Sequence, residues 1–366
     1  MRIFYSAQST PNETALPHSR LWYVNLCLPL KDLGHDIIPF ETEYLHTAYD
    51  LDPYVPEHQS LIAQRRPQFS EDLLQAVKIA HRHAPIDLFF SYFSSAHVES
   101  DAIREIGKMG ITTMNWYCNA SYQFHLVRDL APAYQYCLVP EKFRLEDYRR
   151  AGARPIYCQE AANPNVYRPY ELPVEFEATF VGQRYGNRPN YIQALVDAGI
   201  DVRVWGPYWE TRVEPTYGWG QLGQRIANVL RLRQSPWLTN GAGRYGGPLS
   251  DEALIQMYSR SKISLGFSSV ANAGLGIKQV RLRDFEAPMS GAFYMVEYFE
   301  DLKECFIPEK EIVCFASERE LVDKVKYYTT HDAERERIRQ AGVMRARCEH
   351  TWHQRFQQVF RSIGMA

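Results

Sequence analysis

The stretch "ATFVGQRYGNRPNYIQALVDAGIDVRVWG" (178–206) contains the pattern that decides the fold. Apolar runs at 178–182 and 201–206 each end in glycine, and a helical pattern lies between them at 189–198. Short apolar runs of this kind predict buried strands, and the intervening helix predicts a compact βαβ unit with parallel strands. Ligands of such sheets bind beyond the carboxyl ends of the strands.

The same alternation continues on both sides of this unit. Between the two series, 158–173 lacks periodicity and contains three prolines and two asparagines, which predicts a linker. We therefore predict two tandem doubly wound α/β domains, 1–165 and 166–349. Strands of the first series are predicted at 2–5, 36–40, 86–91, 111–117 and 134–139, its helices at 19–34, 71–84 and 99–110, and later strands at 262–267, 293–297 and 311–315.

Length and composition are consistent with two soluble domains and exclude several classes of protein. A chain of 366 residues exceeds the size of a single hydrophobic core. With 41 basic and 43 acidic residues, the net charge of −2 argues against a general nucleic-acid binder. Seven scattered cysteines without a C-x-x-C pair predict reduced thiols and no zinc site. The start of the sequence is unlike a signal peptide, so we expect a cytoplasmic protein.

One glycine motif does not indicate a dinucleotide-binding site. "GAGRYG" (241–246) satisfies G-x-G-x-x-G, but a dinucleotide site needs a preceding strand and a following helix. Here a loop-like run precedes the motif and Pro248 follows it. We interpret it as a turn and not as a dinucleotide site.

Two loops are candidates for binding a nucleotide. In "FVGQRYGNR" (180–188), Gly182 leaves a strand towards a helix, so backbone N–H groups and Arg184 or Arg188 could meet a diphosphate. The alternative is an ordinary loop with surface arginines. In "SSVANAGLG" (268–276), the glycines Gly274 and Gly276 permit close approach of the backbone to a ligand.

The stretch "KQVRLRDFEAPMSGAF" (278–293) concentrates charge. Lys278, Arg281 and Arg283 supply positive charge for phosphates, and Glu286 supplies an acceptor for a ribose or sugar diol. A solvated helix face is the alternative interpretation. The apolar neighbours on both sides of Glu286 favour burial, and a buried acid needs a partner or a ligand.

The C-terminal part of the sequence resembles a known family. Over residues 250–355 it is similar to the C-terminal half of the CgeB-type (spore maturation protein) glycosyltransferases. The matching stretches are "LSDEALIQMYSRSKISLGF", "QVRLRDFEAPMSGAF", "KECFIPEKEIVCFASERELVDKVKYY" and "HTWHQR", with weaker similarity in "WYCNAS" and "ATFVGQRYGNR". The resemblance implies the GT-B fold, in which two Rossmann-like domains face a cleft. It also implies that a C-terminal helix, 350–366, returns to the first domain.

The resemblance also assigns residues of the donor site. Glu286 matches the second acid of the family's E-x7-E signature, which usually holds the donor ribose, and Arg283 matches the arginine of its R-x-F-E element. Gly182 and Arg184 match the phosphate-facing loop. Lys278 stands where the first acid belongs, so this chain departs from the signature there. Gly206, at the end of the following strand, is assigned to the same donor site.

Candidates for catalysis come from the first domain, where an acceptor would bind. His18, His97 and His125 lie in or near its loops, and an unperturbed histidine titrates near neutrality. Asn119 follows "W-[FY]-C", where many relatives carry an acid. We take His18, His97 and Asn119 as the candidate catalytic residues.

The predicted function is a glycosyltransferase. It would move a sugar from a UDP-, GDP- or dTDP-sugar to a glycan, protein or small molecule, with no metal and no cofactor. The only D-x-D tract, Asp50 to Asp52, lies in a loop flanked by proline. A GT-B-fold sugar-nucleotide epimerase and a non-catalytic nucleotide-sugar binding protein remain alternatives. The helix predicted within 211–247 either packs on its own domain or, through 222–238, contacts a membrane surface.

Overall fold

A computed structural model describes most of the chain. The described residues are 1–8, 19–209, 243–270 and 276–365. The predictions made for His18, for Gly274 and for the segment 222–238 lie outside these residues.

The chain folds into two compact units. The first unit comprises Met1–Asn163 together with Thr351–Ala366, and the second comprises Pro164–His350. The division falls within the aperiodic segment 158–173.

The first unit is built on a six-stranded parallel sheet with the order β2-β1-β3-β4-β5-β6. Pairs such as Ile3 with Leu88 set its register. The central strands are buried along their length, as expected for a parallel sheet covered on both faces. Its strands are β1 (Arg2–Ser6), β2 (Asp36–Pro39), β3 (Leu88–Ser91), β4 (Thr112–Trp116), β5 (Tyr136–Val139) and β6 (Pro155–Tyr157).

Helices alternate with these strands. The principal difference from the sequence prediction is α3, which begins at Pro56 and not near residue 71. Proline is favoured in the first helical turn, whereas most of the side chains before Phe69 are exposed and gave no apolar period. The helices are α1 (Leu28–Asp32), α2 (Glu43–Ala48), α3 (Pro56–His83), α4 (Ser100–Lys108), α5 (Ala120–Gln123), α6 (His125–Arg128) and α7 (Leu145–Arg150), with a π-helical turn at Tyr23–Cys27.

The second unit contains another six-stranded parallel sheet, with the order β12-β11-β10-β7-β8-β9. Its first strand, β7, therefore lies between β8 and β10. The edge strand β9 was not predicted, because two residues are too few to display a period. Its strands are β7 (Phe176–Val181), β8 (Val202–Trp205), β9 (Tyr245–Gly246), β10 (Ser261–Gly266), β11 (Tyr294–Glu297) and β12 (Val313–Phe315), and its helices are α8 (Arg188–Asp197), α9 (Asp251–Arg260), α10 (Leu282–Met289), α11 (Glu318–Thr330) and α12 (Asp332–Glu349).

The interpretation of "GAGRYG" changes in part. Gly243 and Arg244 form a turn, but Tyr245–Gly246 is the strand β9, which pairs with β8. Gly243 thus lies before an edge strand and Gly246 within it, and neither glycine opens a helix.

The last helix, α13 (Trp352–Ser362), belongs to the first unit. Its Trp352 ring lies 5.1 Å from the Trp116 ring, and Phe356 lies 5.8 Å from Phe90. The predicted fold class, with two doubly wound α/β units and a terminal helix that returns to the first, is confirmed.

The packing of α13 leads to a prediction for stability. Phe356 is fully buried in the core of the first unit, so Phe356→Ala should lower the free energy of unfolding by about 3–5 kcal/mol. Gln357→Ala, at an exposed position of the same helix, should change it by less than about 0.5 kcal/mol. Urea titrations followed by circular dichroism measure both values, and equal stability of the two variants would contradict this packing.

Candidate functional site

The order of the second sheet creates a point where its connections diverge. From β7 the chain continues to β8 on one side, whereas from the neighbouring β10 it continues to β11 on the other. Ligands of doubly wound sheets bind in the crevice at the carboxyl ends of such strands. Gly182 follows β7 directly, and Phe267 and Ser268 follow β10.

Two glycines permit close packing of the backbone at this edge. Gly206 has φ +140°, and a Cβ atom on it would lie 2.4 Å from the carbonyl oxygen of Gly182. A Cβ atom on Gly182 would lie 2.8 Å from Nη1 of Arg283. Larger residues at either position would displace the backbone or the arginine.

Three arginines gather around the rings of Tyr185 and Phe180. The guanidinium carbon of Arg188 lies 3.8 Å from the Tyr185 centroid, and its Nη2 donates to the phenol oxygen at 2.6 Å. The guanidinium of Arg281 lies 6.0 Å from the Tyr185 centroid, and that of Arg283 lies 5.5 Å from the Phe180 centroid. Cations from the first residues of α8 and α10 therefore meet beside Gly182; we call Arg188, Arg281 and Arg283 the arginine cluster.

The positive charge of the arginine cluster is compensated only in part, by Glu286 beside Arg283. Burial opposes ionisation of Tyr185, yet the three arginines outweigh burial and lower the pKa of this phenol. Burial, together with Arg281 and Arg283, lowers the pKa of Arg188 to about 9. The Nε atoms of all three arginines are buried and have no hydrogen-bond partner among the described residues. Because an unsatisfied buried donor costs about 1–3 kcal/mol, the cluster favours binding of an anion.

The acids of α10 face the interior of the unit. Glu286 is 3% exposed, and its Oε1 accepts a hydrogen bond from the Tyr258 hydroxyl at 2.9 Å and lies 3.9 Å from Nε of Arg283. Asp284 accepts from the Tyr294 hydroxyl at 2.6 Å and from the backbone N–H of Arg281 at 2.9 Å. Glu286 thus has partners within the protein, and its contact with a donor ribose stays a prediction.

Three other candidates of the donor site have different surroundings. Lys278 Nζ lies 3.0 Å from the carboxylate of Glu297 and donates to a backbone carbonyl, so its charge is compensated. Arg184 lies near Tyr245 on the β9 side, whereas Arg188 joins the cluster. Gly276 has φ +61°, and a Cβ atom there would meet nothing within 4 Å.

Comparison with known proteins relates the chain to glycosyltransferases. Residues 188–361 match the model of a family described as Glycosyl transferase-like. Over 99% of its length the chain superposes on 98% of sucrose-phosphate synthase from Thermosynechococcus elongatus, with a TM-score of 0.60 and 14% identity. It superposes over 100% of its length on 99% of HepE from Anabaena in complex with UDP-glucose, with a TM-score of 0.59 and 12% identity.

A glycosyltransferase from Rickettsia africae matches with a TM-score of 0.56 and 11% identity over 99% of this chain and 98% of that one. The sequence matches none of the functionally curated proteins. The chain therefore has the GT-B fold that the sequence predicted, and its residues 188–361 resemble a glycosyl transferase-like family.

The first unit contains His97 and Asn119. His97 is 1% exposed, and its Nδ1 accepts from the backbone N–H of Ser94 at 3.1 Å. Burial lowers the pKa of His97 to about 3, so the neutral ring carries its proton on Nε2, which has no partner among the described residues. This geometry favours a hydrogen-bond donor over an acceptor base. Asn119 is the residue before α5, and its carbonyl accepts from Gln123 N–H at 2.9 Å.

The first unit also contains an open cavity of about 610 Å³ beside the carboxyl end of β3. Tyr54, which is 44% exposed, lines it and donates from its hydroxyl to Asp129 at 2.8 Å. Arg66 donates to the carbonyl of Ser95 at 3.0 Å. The remaining lining residues are Pro53, Val98, Glu99, Ser100, Asp101 and Arg104.

Sequence reasoning missed several contributors to these sites. Sequence reasoning assigned no role to Tyr185, Tyr258 or Glu297, because their roles depend on which elements pack together. Within the described ranges, no group of three or more His, Cys, Asp or Glu side chains could hold a metal ion. Among the same residues, no helix has the length and apolarity needed to cross a membrane.

The surroundings of Glu286 predict a pH dependence. Burial raises the pKa of Glu286 and outweighs the lowering by Arg283 and Tyr258. Because the pKa is higher in the folded state, the carboxylate lowers stability progressively as the pH rises from about 4.3, the ordinary value for glutamate, through the folded-state pKa. Glu286→Gln should remove this part of the pH dependence, as measured by urea titrations between pH 4 and pH 8.

The exposed acid Glu252 serves as the control for this prediction. Glu252→Gln should retain the pH dependence of the unsubstituted protein. Parallel stability curves for Glu286→Gln and the unsubstituted protein would contradict the prediction.

Proposed function

We propose that this protein is a glycosyltransferase that uses a nucleoside diphosphate sugar as donor and binds its diphosphate at the arginine cluster. The observation that carries the proposal is the set of three buried Nε donors without hydrogen-bond partners among the described residues, beside Gly182. A diphosphate offers several anionic acceptors in a small volume, which suits guanidinium groups. The amino-terminal ends of α8 and α10 lie at the same edge and add the positive ends of two helix dipoles.

The arrangement suggests how the transfer is assisted. The bond between the anomeric carbon and the diphosphate oxygen breaks, and the nucleoside diphosphate leaves with the electron pair. An acceptor oxygen forms the new bond to that carbon and releases its proton. Because negative charge develops on the leaving diphosphate, preorganised arginines would stabilise the transition state more than the ground state. No metal or cofactor enters this proposal.

The neighbours guide the choice of donor. HepE from Anabaena was obtained in complexes with UDP-glucose and with UDP. These are ligands of that protein, and they make UDP the first probe to test here, ahead of GDP and dTDP. The matching stretches of sequence support a CgeB-type member of the class as the finer assignment.

The donor proposal predicts the effect of losing one arginine. Arg281→Gln should weaken UDP binding by about 1.5–3 kcal/mol, roughly 10- to 100-fold, through the loss of charged hydrogen bonds. Arg203, which pairs with Asp201 in β8 away from the cluster, provides the control Arg203→Gln with unchanged affinity. Calorimetry with EDTA present measures both variants, and unchanged UDP affinity in folded Arg281→Gln would exclude the cluster as the donor site. A requirement for Mn²⁺ or Mg²⁺ would contradict a metal-free site.

For the acceptor, we propose a carbohydrate bound in the cavity beside β3. Its charged groups of both signs nearly balance, which suits a neutral ligand with many hydroxyl groups better than a phosphate. Tyr54 presents an exposed aromatic face beside paired donors and acceptors, and a few placed polar groups around such a face are typical of ligand sites.

The acceptor proposal predicts a selective loss. With UDP-glucose as donor and a panel of mono- and disaccharides as acceptors, Tyr54→Ala should raise the acceptor KM by about tenfold, an effect of about 1.4 kcal/mol. The affinity for UDP should stay unchanged. Tyr157→Ala removes a tyrosine of similar exposure at another place in the same unit and should leave the KM unaltered. An unchanged acceptor KM in Tyr54→Ala would exclude this cavity.

A further inference from the structure

Glu297, the last residue of β11, is a buried acid outside the arginine cluster. It is 3% exposed, and its carboxylate accepts from the backbone N–H groups of Ser268 and Ser269, each at 3.1 Å. The Ser269 hydroxyl donates to it at 3.0 Å, and Lys278 Nζ lies 3.0 Å from its Oε1. A buried carboxylate is costly unless it is paired and hydrogen-bonded. This carboxylate meets that condition with groups drawn from two separate segments of chain.

Those two segments form the base of a hairpin between β10 and α10. We define the hairpin base as residues 268–270 and 277–279. Gln279 N–H donates to the carbonyl of Ser268 at 3.2 Å, and Val270 N–H donates to the carbonyl of Ile277 at 3.1 Å. Glu297 therefore holds one side of the hairpin base through backbone N–H groups and the other through Lys278.

The backbone carbonyl groups of the same two serines bind Arg281. Nη2 of Arg281 donates to the carbonyl of Ser269 at 2.6 Å and to that of Ser268 at 3.4 Å. Each serine thus contributes its N–H to Glu297 and its C=O to Arg281. Displacement of these two residues would displace a guanidinium of the arginine cluster.

Lys278 takes part in this arrangement and has little capacity left for a phosphate. Besides Glu297, its Nζ donates to the carbonyl of Tyr298 at 2.9 Å. The sequence assigned Lys278 to the donor, whereas its position explains it as the cation that compensates Glu297. The charges of Lys278 and Glu297 cancel each other, so Glu297 does not neutralise the positive charge of Arg281.

We propose that Glu297 is a positioning residue of the donor site, acting through Ser268 and Ser269 to hold the guanidinium of Arg281 where a diphosphate binds. This inference rests on the proposed function, because it requires that Arg281 contact the donor. A purely stabilising role for Glu297 would leave its effect on nucleotide affinity independent of Arg281.

A double-mutant cycle distinguishes the two roles. UDP affinity is measured by calorimetry for the unsubstituted protein, Glu297→Gln, Arg281→Gln and the double variant, all as full-length chains. We expect Glu297→Gln to weaken UDP binding by about tenfold when Arg281 is present and by less than about twofold when it is absent, since coupled residues are not additive. Equal fold-losses in both backgrounds, or no loss in Glu297→Gln, would overturn the inference.

The cycle separates failure of this inference from failure of the donor proposal. If Arg281→Gln binds UDP as tightly as the unsubstituted protein, the arginine cluster is not the donor site. If Arg281→Gln weakens binding but Glu297→Gln does not, only the positioning role is wrong. Should Glu297→Gln fail to fold, Ser269→Ala removes one donor to Glu297 and enters the same cycle. Its expected loss is about threefold in the presence of Arg281 and none in its absence, and any other result overturns the inference.

Discussion

The neighbouring strands β7 and β10 connect to strands on opposite sides, and the proposed donor site depends on that constraint. Because crossovers between parallel strands are right-handed, the helices that follow these two strands cover opposite faces of the sheet. Their amino-terminal ends nevertheless lie at one edge, where Gly182 leaves room for the guanidinium of Arg283. Arg188 from one helix and Arg281 and Arg283 from the other are brought together in this way.

Buried acids decide which cations of this edge are neutralised. Asp284 and Glu286 are held by tyrosine hydroxyls in the surroundings of α10, and Glu297 is held by two serines and Lys278. Each acid is therefore satisfied on the interior side. Among the described residues the Nε atoms of the arginines have no hydrogen-bond partner, and only Arg283 has an ion pair, with Glu286. Positive charge therefore remains where the connections of the sheet diverge. Such separation of compensated and uncompensated charge suits a site that receives and releases an anion.

In the sequence, the second unit is an insertion within the first unit. The first unit contains residues up to Asn163 and then Thr351–Ala366, so the whole second unit is inserted before the first is complete. The contact of Trp116 with Trp352 belongs to the core of the first unit. That core is incomplete without the last helix, so its stability depends on this helix.

The sequence by itself determined the alternation of strands and helices and the contiguous parts of the site. Buried parallel strands are continuous apolar runs and helices have a period of 3.6 residues, so both can be recognised locally. Gly182, Arg281 and Arg283 were identifiable because each lies in a short motif at the end of a strand or the start of a helix. The tertiary structure alone decided that Arg188 joins them and that Lys278 pairs with Glu297. The pairing of Lys278 with Glu297 requires that β11 lie beside β10, and the place of Arg188 depends on packing against Tyr185 and Phe180. Periodicity along the chain reports which side of an element is buried, whereas the partner of a buried charge is set by the order of the strands in space.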